Sequence, residues 1–415
     1  MIRSLRAALV TAVAFCAAFP VQAADASIAI VVDRLYPSPS GEPLSNATVV
    51  VTDGKIVAVG ETGRVAIPPG ARVVEAKGMS LMAGFWNSHV HFIDPKFANA
   101  ATLPAPQLAA QLEDMLTSRG FVHVFEIATL HLENSLALRD RVRKGEVTGP
   151  DIYTTGVPFV GPDGTPGYLP GVKLPEFSVP SEVRAFVRRQ LDAGADGVKF
   201  WSISPTFKKG LVRVPADVAR AAVDEAHRSG KPVFAHPTTV EGVRLAAEYG
   251  VDVLAHVSPE NIEGWTPEVI ALLKSRNVAV TPTLKLFRFD PERQGAPPDV
   301  TRNLMEIAGK QLGQYSRAGG TILFGTDVGY VTDFDVREEF SLMSKAGMDF
   351  RQILASLTTA PAAKFGHATH TGRVEPGMDA DLVLVAGDPR ADAVAFGDVR
   401  LAMLRGKVLY RAKGF

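Results

Sequence analysis

The sequence predicts an α/β protein, in which a (β/α)8 TIM barrel is joined to a small β-sandwich domain built from both ends of the mature chain. Three observations predict this fold. Short apolar segments alternate with amphipathic helical patterns through the middle of the chain, which is typical of parallel strands linked by helices. Segments rich in β-branched residues stand near both ends. The composition is that of a globular protein, with 46% hydrophobic and 21% charged residues.

The first residues have the pattern of a cleavable secretory signal. Arg3 and Arg6 precede an apolar run over residues 7–19, and the small residues Ala23 and Ala24 follow it. A membrane anchor would need a longer apolar span. We therefore expect residues 1–23 to be removed, and the mature protein to be secreted, to the periplasm, without a membrane partner. Cys16 is the only cysteine, so the mature chain has neither a disulfide nor a thiol nucleophile.

The charge balance argues against a polyanionic partner. Lys plus Arg and Asp plus Glu both total 44, so no net charge attracts the protein to nucleic acid or to anionic lipid. A small molecule is the expected partner. The sequence leaves the oligomeric state open and is compatible with a homo-oligomer.

The small β-domain is predicted from residues 24–80 and 369–415. In the first part, "ATVVVTDGKIVAVG" has β-branched runs on both sides of Asp53 and Gly54, which is the pattern of a hairpin. In the second part, "ADLVLVAGD" and "LAMLRGKVLY" have the same texture. The two parts are therefore expected to form one domain.

The barrel is predicted over residues 81–368. Helical patterns fill the gaps between its strands, as in "PADVARAAVDEAHRSG" from Pro215, with Gly230 as the stop signal. Eight units of strand and helix indicate a (β/α)8 barrel. The strands are expected at Leu81, Phe121, Asp151, Asp196, Lys231, Val251, Val278 and Thr321.

Polar residues lie where these strands end, which is the face that carries the active site in this fold. His89 and His91 follow the first strand, and because side chains alternate along a strand, both can face one metal ion. Comparable residues at the ends of later strands are Lys199 on the fourth, His236 on the fifth, His256 on the sixth and Asp327 on the eighth.

These residues, in this strand order, resemble the amidohydrolase superfamily, especially its imidazolonepropionase-like and Xaa-Pro dipeptidase-like members. The resemblance extends over essentially the whole mature chain and includes "GRVEPGMDADLVLV", which is similar to the family's return into its small β-domain. Asn87 departs from the pattern, since many relatives have aspartate there. The resemblance implies one or two divalent metals, with the ligands His89, His91, Lys199, His236, His256 and Asp327.

Lys199 allows two hypotheses, because an ammonium group repels a divalent cation. Burial would lower the pKa of this lysine, and the neutral amine could take up carbon dioxide to form an anionic carbamate. The carbamate would bridge two metals, with His89, His91 and Asp327 on one and His236 and His256 on the other. Alternatively, Lys199 binds a substrate carboxylate beside a single metal. Zinc is the expected metal, and manganese or cobalt would also suit these ligands.

The chemistry implied is hydrolysis of an amide or related C–N bond by metal-activated hydroxide. Asp327 would take a proton from the hydroxide and pass it to the leaving nitrogen. Dipeptides, N-acyl amino acids and lactams are the expected substrates.

Three alternatives remain at this point. A single-metal deaminase of this superfamily would carry glutamate three residues after a strand-end histidine, where this chain has Thr239 and Pro259. A cyclic amide or lactone hydrolase would use the same metal site. A non-catalytic barrel would be expected to lack ligands, and here all six positions are filled.

Long loops at the barrel mouth are expected to select the substrate. The loop after strand three contains Tyr168, and the segment after strand seven contains Lys285 and Arg288. Tyr168 would cover an apolar part of the substrate, and the two cations would bind a substrate carboxylate. His131, after strand two, is a further candidate for substrate contact.

Overall fold

The computed structural model describes residues 27–415, so the predicted signal segment lies outside the described residues. Strands and helices alternate through much of this part of the chain, and the predicted α/β class is confirmed. Within residues 27–415, no helix has both the length and the apolar character that crossing a membrane requires.

The described residues contain one mixed sheet, one two-stranded hairpin and two parallel sheets. In chain order their strands are β1 (Ile28–Leu35), β2 (Leu44–Thr52), β3 (Lys55–Glu61), β4 (Arg72–Ala83), β5 (Phe85–Val90), β6 (Phe121–Glu126), β7 (Asp151–Thr154), β8 (Val198–Trp201), β9 (Ile203–Thr206), β10 (Gly210–Arg213), β11 (Val233–His236), β12 (Val253–Ala255), β13 (Ala279–Thr281), β14 (Leu382–Ala386), β15 (Val399–Leu404) and β16 (Lys407–Arg411).

The α-helices lie between β5 and β14 in the chain. They are α1 (Ala105–Met115), α2 (Leu132–Arg143), α3 (Pro180–Ala193), α4 (Ala216–Arg228), α5 (Val240–Tyr249), α6 (Pro267–Ser275), α7 (Leu286–Arg293), α8 (Pro298–Arg317), α9 (Arg337–Lys345), α10 (Phe350–Leu357) and α11 (Thr359–Lys364). Short 3-10 helices span Pro95–Phe97, Thr117–Arg119 and Ala393–Gly397.

The mixed sheet combines strands from both ends of the described chain, in the order β16-β15-β14-β4-β1-β2-β3. Antiparallel pairing of β4 with β14 joins the two ends, with Ala83 opposite Leu382. The predicted hairpin turn is present between β2 and β3, and both Asp53 and Gly54 have positive φ angles, as a type I′ turn requires. The strands form one continuous sheet of seven, and the predicted domain limits stay a prediction.

The two parallel sheets hold most of the predicted site. One has the order β5-β6-β7, and the other has the order β13-β12-β11-β8. A bridge between Phe159 and Phe200 links the chain beyond β7 to β8. The four strands of the second sheet are short, and all their residues except His236 are buried, as in a parallel sheet that is covered on both sides.

The predicted eighth strand, at Thr321, is an extended segment with isolated bridges and is not assigned as a strand. On one side its Thr321 carbonyl accepts from the Val280 backbone N–H. On the other side the Asp327 N–H donates to the His89 carbonyl, and the His91 N–H donates to the Val328 carbonyl. Residues 321–328 therefore lie between β13 and β5, and Asp327 lies beside His89.

The helix predicted from Pro215 is present as α4. Its apolar residues Val218, Ala222 and Ala226 recur at helical spacing and are buried, and this face packs on the sheet. Gly230 follows its end with a positive φ angle. Two features were not predicted, namely the β9–β10 hairpin and helix α7, which lies in the segment expected to be a loop after strand seven.

Candidate metal centre

The six predicted metal ligands line one cavity of about 350 Å³. Strand ends bring them there: His89 lies in β5, Lys199 lies in β8, and His236 is the last residue of β11. His256 directly follows β12, and Asp327 lies in the extended segment beside β5. The cavity therefore lies at the carboxyl ends of the parallel strands, where the fold places active sites.

His89, His91 and Asp327 form the tightest group. Oδ1 of Asp327 is 2.9 Å from Nε2 of His91 and 3.2 Å from Nε2 of His89, and the two Nε2 atoms are 3.2 Å apart. Nδ1 of His91 lies 3.1 Å from the Ala128 carbonyl oxygen. Because a carbonyl only accepts, Nδ1 carries the proton and the lone pair of Nε2 points toward Asp327.

The acceptor atoms of this group point toward one another, and there are too few protons for hydrogen bonds between all of them. Asp327 Oδ1 is buried and makes no hydrogen bond of good geometry within the described residues. A carboxylate oxygen and a neutral imidazole nitrogen repel each other at this separation unless a proton or a cation lies between them. The donor atoms are those that zinc and related divalent metals prefer. The residues present therefore fit a metal ion.

His256 has the same tautomer as His91, with the proton on Nδ1. Its Nδ1 lies 2.6 Å from Oγ1 of Thr283, and that hydroxyl donates to the Pro282 carbonyl at 2.8 Å. The hydroxyl proton is thus committed, so Oγ1 accepts the Nδ1 proton and leaves the Nε2 lone pair available. One donor atom each from His89, His256 and Asp327 lies within 4.8 Å of the others. The rings of His236 and His256 are 4.7 Å apart.

The backbone around these ligands is strained. His256 and Asp327 have φ angles of 88° and 58°, a region that costs non-glycine residues free energy. Close packing around Asp327 enforces its positive φ angle. A Cβ atom on Gly329 would lie 2.0 Å from the His91 carbonyl oxygen, and one on Gly325 would lie 2.2 Å from the Thr281 side chain. Only glycine fits at either position, and this fixes the placement of Asp327.

Asn87 joins the two segments that carry these ligands. Its Oδ1 accepts from the backbone N–H groups of His89 and Thr326, at 3.2 and 3.3 Å. Its Nδ2 donates to Oγ1 of Thr326 at 2.7 Å. A carboxylate could accept the same two bonds but could not make this donation. The amide therefore suits the position that departs from the aspartate of many relatives.

Burial sets the protonation of the cavity. It lowers the pKa of His89 to about 4 and the pKa of His256 well below its usual value, so both are neutral near pH 7, as metal ligands must be. Burial also lowers the pKa of Lys199 to about 7. For Asp327, burial alone would raise the pKa, but the adjacent His89 and His91 outweigh it and hold the pKa well below its usual value.

The outer wall of the cavity is apolar and aromatic. Tyr168 lines it, as predicted, and its hydroxyl accepts a hydrogen bond from Nε1 of Trp201 at 2.9 Å. Trp201, Tyr330 and Asp290 were not predicted. Trp201 stands two residues after Lys199 in β8, so strand alternation could have identified it. Asp290 and Tyr330 had no such signal, because neither lies on a strand.

Three predicted substrate contacts lie elsewhere. Lys285 is buried, and its Nζ donates to the Asp333 and Asp335 carbonyls and pairs with the Asp333 carboxylate at 2.7 Å. Arg288 pairs with Glu338 through two bonds of 2.6 Å. His131 is exposed at the start of α2. None of the three is among the described residues that line the cavity, so the structure does not bring Lys285, Arg288 and His131 together with the predicted metal ligands.

The two positions at which a deaminase would carry glutamate have other roles. The Thr239 side chain accepts from the Gly242 N–H and caps helix α5. Pro259 lies in the cavity wall. Neither supplies a carboxylate to the cavity.

The sequence pattern of the Amidohydrolase family matches residues 80–409. The chain is 24% identical over 435 aligned residues to ochratoxinase of Aspergillus niger, which covers 94% of this chain and 88% of that protein. The crystal structure of the A. niger ochratoxinase has a TM-score of 0.74, at 21% identity, and covers 93% of this chain and 96% of that one. A Xaa-Pro dipeptidase with bound methionine in its active site has a TM-score of 0.77, at 21% identity, with 93% and 100% of the two chains covered. Phenylurea hydrolase B has a TM-score of 0.75, at 22% identity, with 92% and 96% covered.

Proposed function

The chain belongs to the amidohydrolase family and is a hydrolase of carbon–nitrogen bonds, and from this premise we propose that it is a metal-dependent amidohydrolase cleaving an amide or related C–N bond of a small molecule. One observation carries the proposal. The Nε2 atoms of His89 and His91 and a carboxylate oxygen of Asp327 converge in a buried cavity without a hydrogen bond of good geometry to Oδ1 among the described residues. A divalent cation resolves that arrangement.

We propose that the scaffold of the site is a (β/α)8 barrel. The extended segment 321–328 makes backbone hydrogen bonds to both β13 and β5, and the Phe159–Phe200 bridge links the chain beyond β7 to β8. Phe125, Phe234 and Leu323, from three different barrel units, pack in one buried cluster, as inward-facing residues of a barrel do. These contacts support a closed ring of eight units.

Two metal positions are proposed. His89, His91 and Asp327 would hold one metal, and His236 and His256 would hold the other. Lys199, as a carbamate formed with carbon dioxide, would add an anionic oxygen ligand, and zinc is proposed before manganese or cobalt. When bound, the metal supplies Lewis acidity that activates water and polarises the substrate carbonyl.

The chain's own groups then carry the proton. The Asp327 carboxylate would accept a proton from the attacking water and deliver it to the leaving nitrogen. Its strained backbone, fixed by Gly325 and Gly329, keeps the carboxylate in one place between those two events. Trp201 and Tyr168 would orient an apolar part of the substrate and exclude water from the reacting bond.

The substrates proposed are dipeptides, N-acyl amino acids and lactams. The apolar wall supports small amides with an apolar group, and the similarity to an ochratoxinase supports an amide-type substrate. We also propose that residues 1–23 direct the protein to the periplasm. Amino-terminal sequencing of the protein from a periplasmic extract tests that part.

The test of function is a hydrolysis panel with the mature protein. Dipeptides, N-acyl amino acids, lactams and lactones are assayed after chelation and after reloading with zinc, manganese or cobalt. Hydrolysis of an amide or lactam that is lost on chelation and restored by one metal supports the proposal. Full activity in the metal-depleted protein would contradict it, as would failure of every metal-loaded form to cleave any member of the panel.

A further inference from the structure

A second pocket of about 670 Å³ adjoins the outer end of the metal cavity. The two share Tyr168 and Pro205 in their linings. The side chains that belong to the second pocket alone include Phe207, at the tip of the β9–β10 hairpin, and Arg293, at the end of α7. We call this second space the rim pocket.

Two tyrosines lie near the junction of the cavity and the rim pocket: Tyr168 lines both spaces, and Tyr330 lines the cavity. The rings of Tyr168 and Tyr330 are 6.0 Å apart and meet edge to face. The Arg293 guanidinium lies over the Tyr330 ring at 4.5 Å, and the Tyr168 ring lies 6.2 Å from the His236 ring. The Tyr168 and Tyr330 rings therefore lie between His236, a proposed metal ligand, and the cationic Arg293.

Arg293 is held in place by Asp290 and Tyr330 but keeps free donors. Its Nη2 donates to Asp290 Oδ1 at 2.6 Å and to the Tyr330 hydroxyl. Within the described residues, its hydrogen bonds all come from Nη2, so Nε and Nη1 remain available. Asp290 also accepts from Tyr330 and Gln294, at 2.8 and 2.6 Å. Asp290 and Arg293 therefore form an ion pair, and a further anion would bind through the Arg293 N–H donors that this pair leaves unused.

The distribution of charge indicates where a substrate anion can bind. Among the described residues that line either space, Lys199 and Arg293 are the lysine and arginine side chains, and Lys199 lies among the proposed metal ligands. Asp290 lies in the cavity wall and would repel an anion placed beside it. The Phe207 side chain is 88% exposed, so a ligand in the rim pocket would gain free energy by covering its ring.

Resting on the proposed function, we propose that the rim pocket is a second substrate subsite, which binds the far end of an elongated amide. That end carries an anionic group for Arg293 and an apolar stem that passes Tyr168 and covers Phe207. The substrate class is therefore an amide whose acyl chain carries a carboxylate distant from the scissile bond. Arg293 determines specificity and takes no part in the chemistry.

The test uses anilides whose chain length and charge vary separately. Monoanilides of dicarboxylic acids, from succinic to sebacic acid, are compared with the matching compounds that end in a primary amide, and aniline release by the metal-loaded protein is measured. We expect kcat/KM to favour the carboxylate over the primary amide by about five- to tenfold for the longer chains only. In Arg293→Met the preference falls to about one. In Phe207→Ser, KM rises for both long members alike.

Arg288→Met is the matched control, because Arg288 belongs to the same helix but pairs with Glu338 outside both spaces. It should keep the preference. An unchanged preference in Arg293→Met, or a preference that is equal at every chain length, overturns the subsite.

A binding measurement separates this proposal from the proposed function. Calorimetric titration of Asp327→Asn with suberic acid monoanilide needs no turnover, and the double variant with Arg293→Met should bind about five- to tenfold more weakly. Binding that depends on Arg293, without hydrolysis by the parent protein, keeps the subsite and contradicts the proposed function. Hydrolysis without any dependence on Arg293 does the reverse.

Discussion

The inner end and the outer wall of the cavity are built in different ways. The inner end consists of side chains at strand ends, of which His89, Lys199, His256 and Asp327 are buried. Nδ1 of His91 lies beside the Ala128 carbonyl, and Nδ1 of His256 lies beside the buried Thr283 hydroxyl. The outer wall comes from the loop after β7, the β9–β10 hairpin and helix α7. There the polar groups, such as Asp290 and Arg293, are partly exposed and pair with one another.

This difference suggests that the inner end carries out the reaction and that the outer wall determines which substrate binds. Buried ligands on short parallel strands cannot move without breaking the sheet, so the inner end suits a reaction that needs fixed geometry. Helix α7 contains Pro291 and has exposed ion pairs, which contribute little to stability and can be exchanged. We therefore expect changes at the inner end to affect turnover, and changes at the outer wall to affect the choice of substrate.

The largest effect is expected for Asp327→Asn. The amide cannot take the proton of the attacking water, so kcat should fall by about a thousandfold or more, while thermal unfolding shows that the protein remains folded. Asp290→Asn is the matched control, because it changes an acid of the same cavity at the outer wall. It should alter kcat by less than about tenfold, mainly by releasing Arg293. Near-parental activity in Asp327→Asn would contradict the proposed mechanism.

The next effect concerns Lys199. If Lys199 is carboxylated, kcat/KM of Lys199→Ala should fall by about a hundredfold. The variant should also lose one equivalent of bound metal. Short carboxylic acids, added at high concentration, should restore part of both. Metal content by mass spectrometry and the assay with acetate or propionate are the measurements. Full metal content in Lys199→Ala, together with no rescue, would favour a single metal with Lys199 bound to substrate.

Lys285→Met is the control for that rescue, because it removes another buried lysine. Its Nζ bonds to Asp333 and Asp335 and not to the cavity. Loss of the Lys285–Asp333 pair should lower stability, and no carboxylic acid should restore activity that is lost in this variant.

How far each part could be predicted follows from the same contrast. Strand alternation and the rule that active sites lie at strand ends are local properties, so they indicated His89, His91, Lys199, His236, His256 and Asp327, which do line one cavity. The directions of Lys285 and Arg288 depend on Asp333 and Glu338, dozens of residues further along the chain. No local pattern records those partners, so the sequence could not show that neither side chain lines the cavity.

The fold shows the same limit. The α/β pattern and the Asp53–Gly54 hairpin depend on neighbouring residues, and both are present. The segment at Thr321 has the apolar composition of a strand, but it bends where Asp327 takes a positive φ angle against the His91 backbone. That constraint comes from another strand, so the irregular geometry at this point could not be predicted from the segment itself.

A smaller effect is expected for Asn87→Ala, which tests whether the fixed geometry of the inner end depends on residues behind the ligands. Loss of three hydrogen bonds, two of which join the segments of His89 and Asp327, should weaken metal binding by about ten- to a hundredfold. Titration with a chromophoric chelator measures this change. Asn87→Asp is the informative comparison, because it keeps the two accepting bonds and loses the donation to Thr326. If Asn87→Ala binds metal as tightly as the parent protein, the ligands are held by the strands alone.

The smallest effect is expected for Arg288→Met. Its guanidinium pairs with Glu338 and Glu292 on a partly exposed face, so the free energy of unfolding should fall by less than about 1 kcal/mol. Because Arg288 does not line the cavity, KM for dipeptides and N-acyl amino acids should stay within about twofold of the parent value. Denaturant unfolding and steady-state kinetics measure the two quantities. A raised KM with unchanged kcat for carboxylate substrates alone would show that helix α7 turns Arg288 toward the cavity when substrate binds, and the outer wall would then be more mobile than its ion pairs indicate.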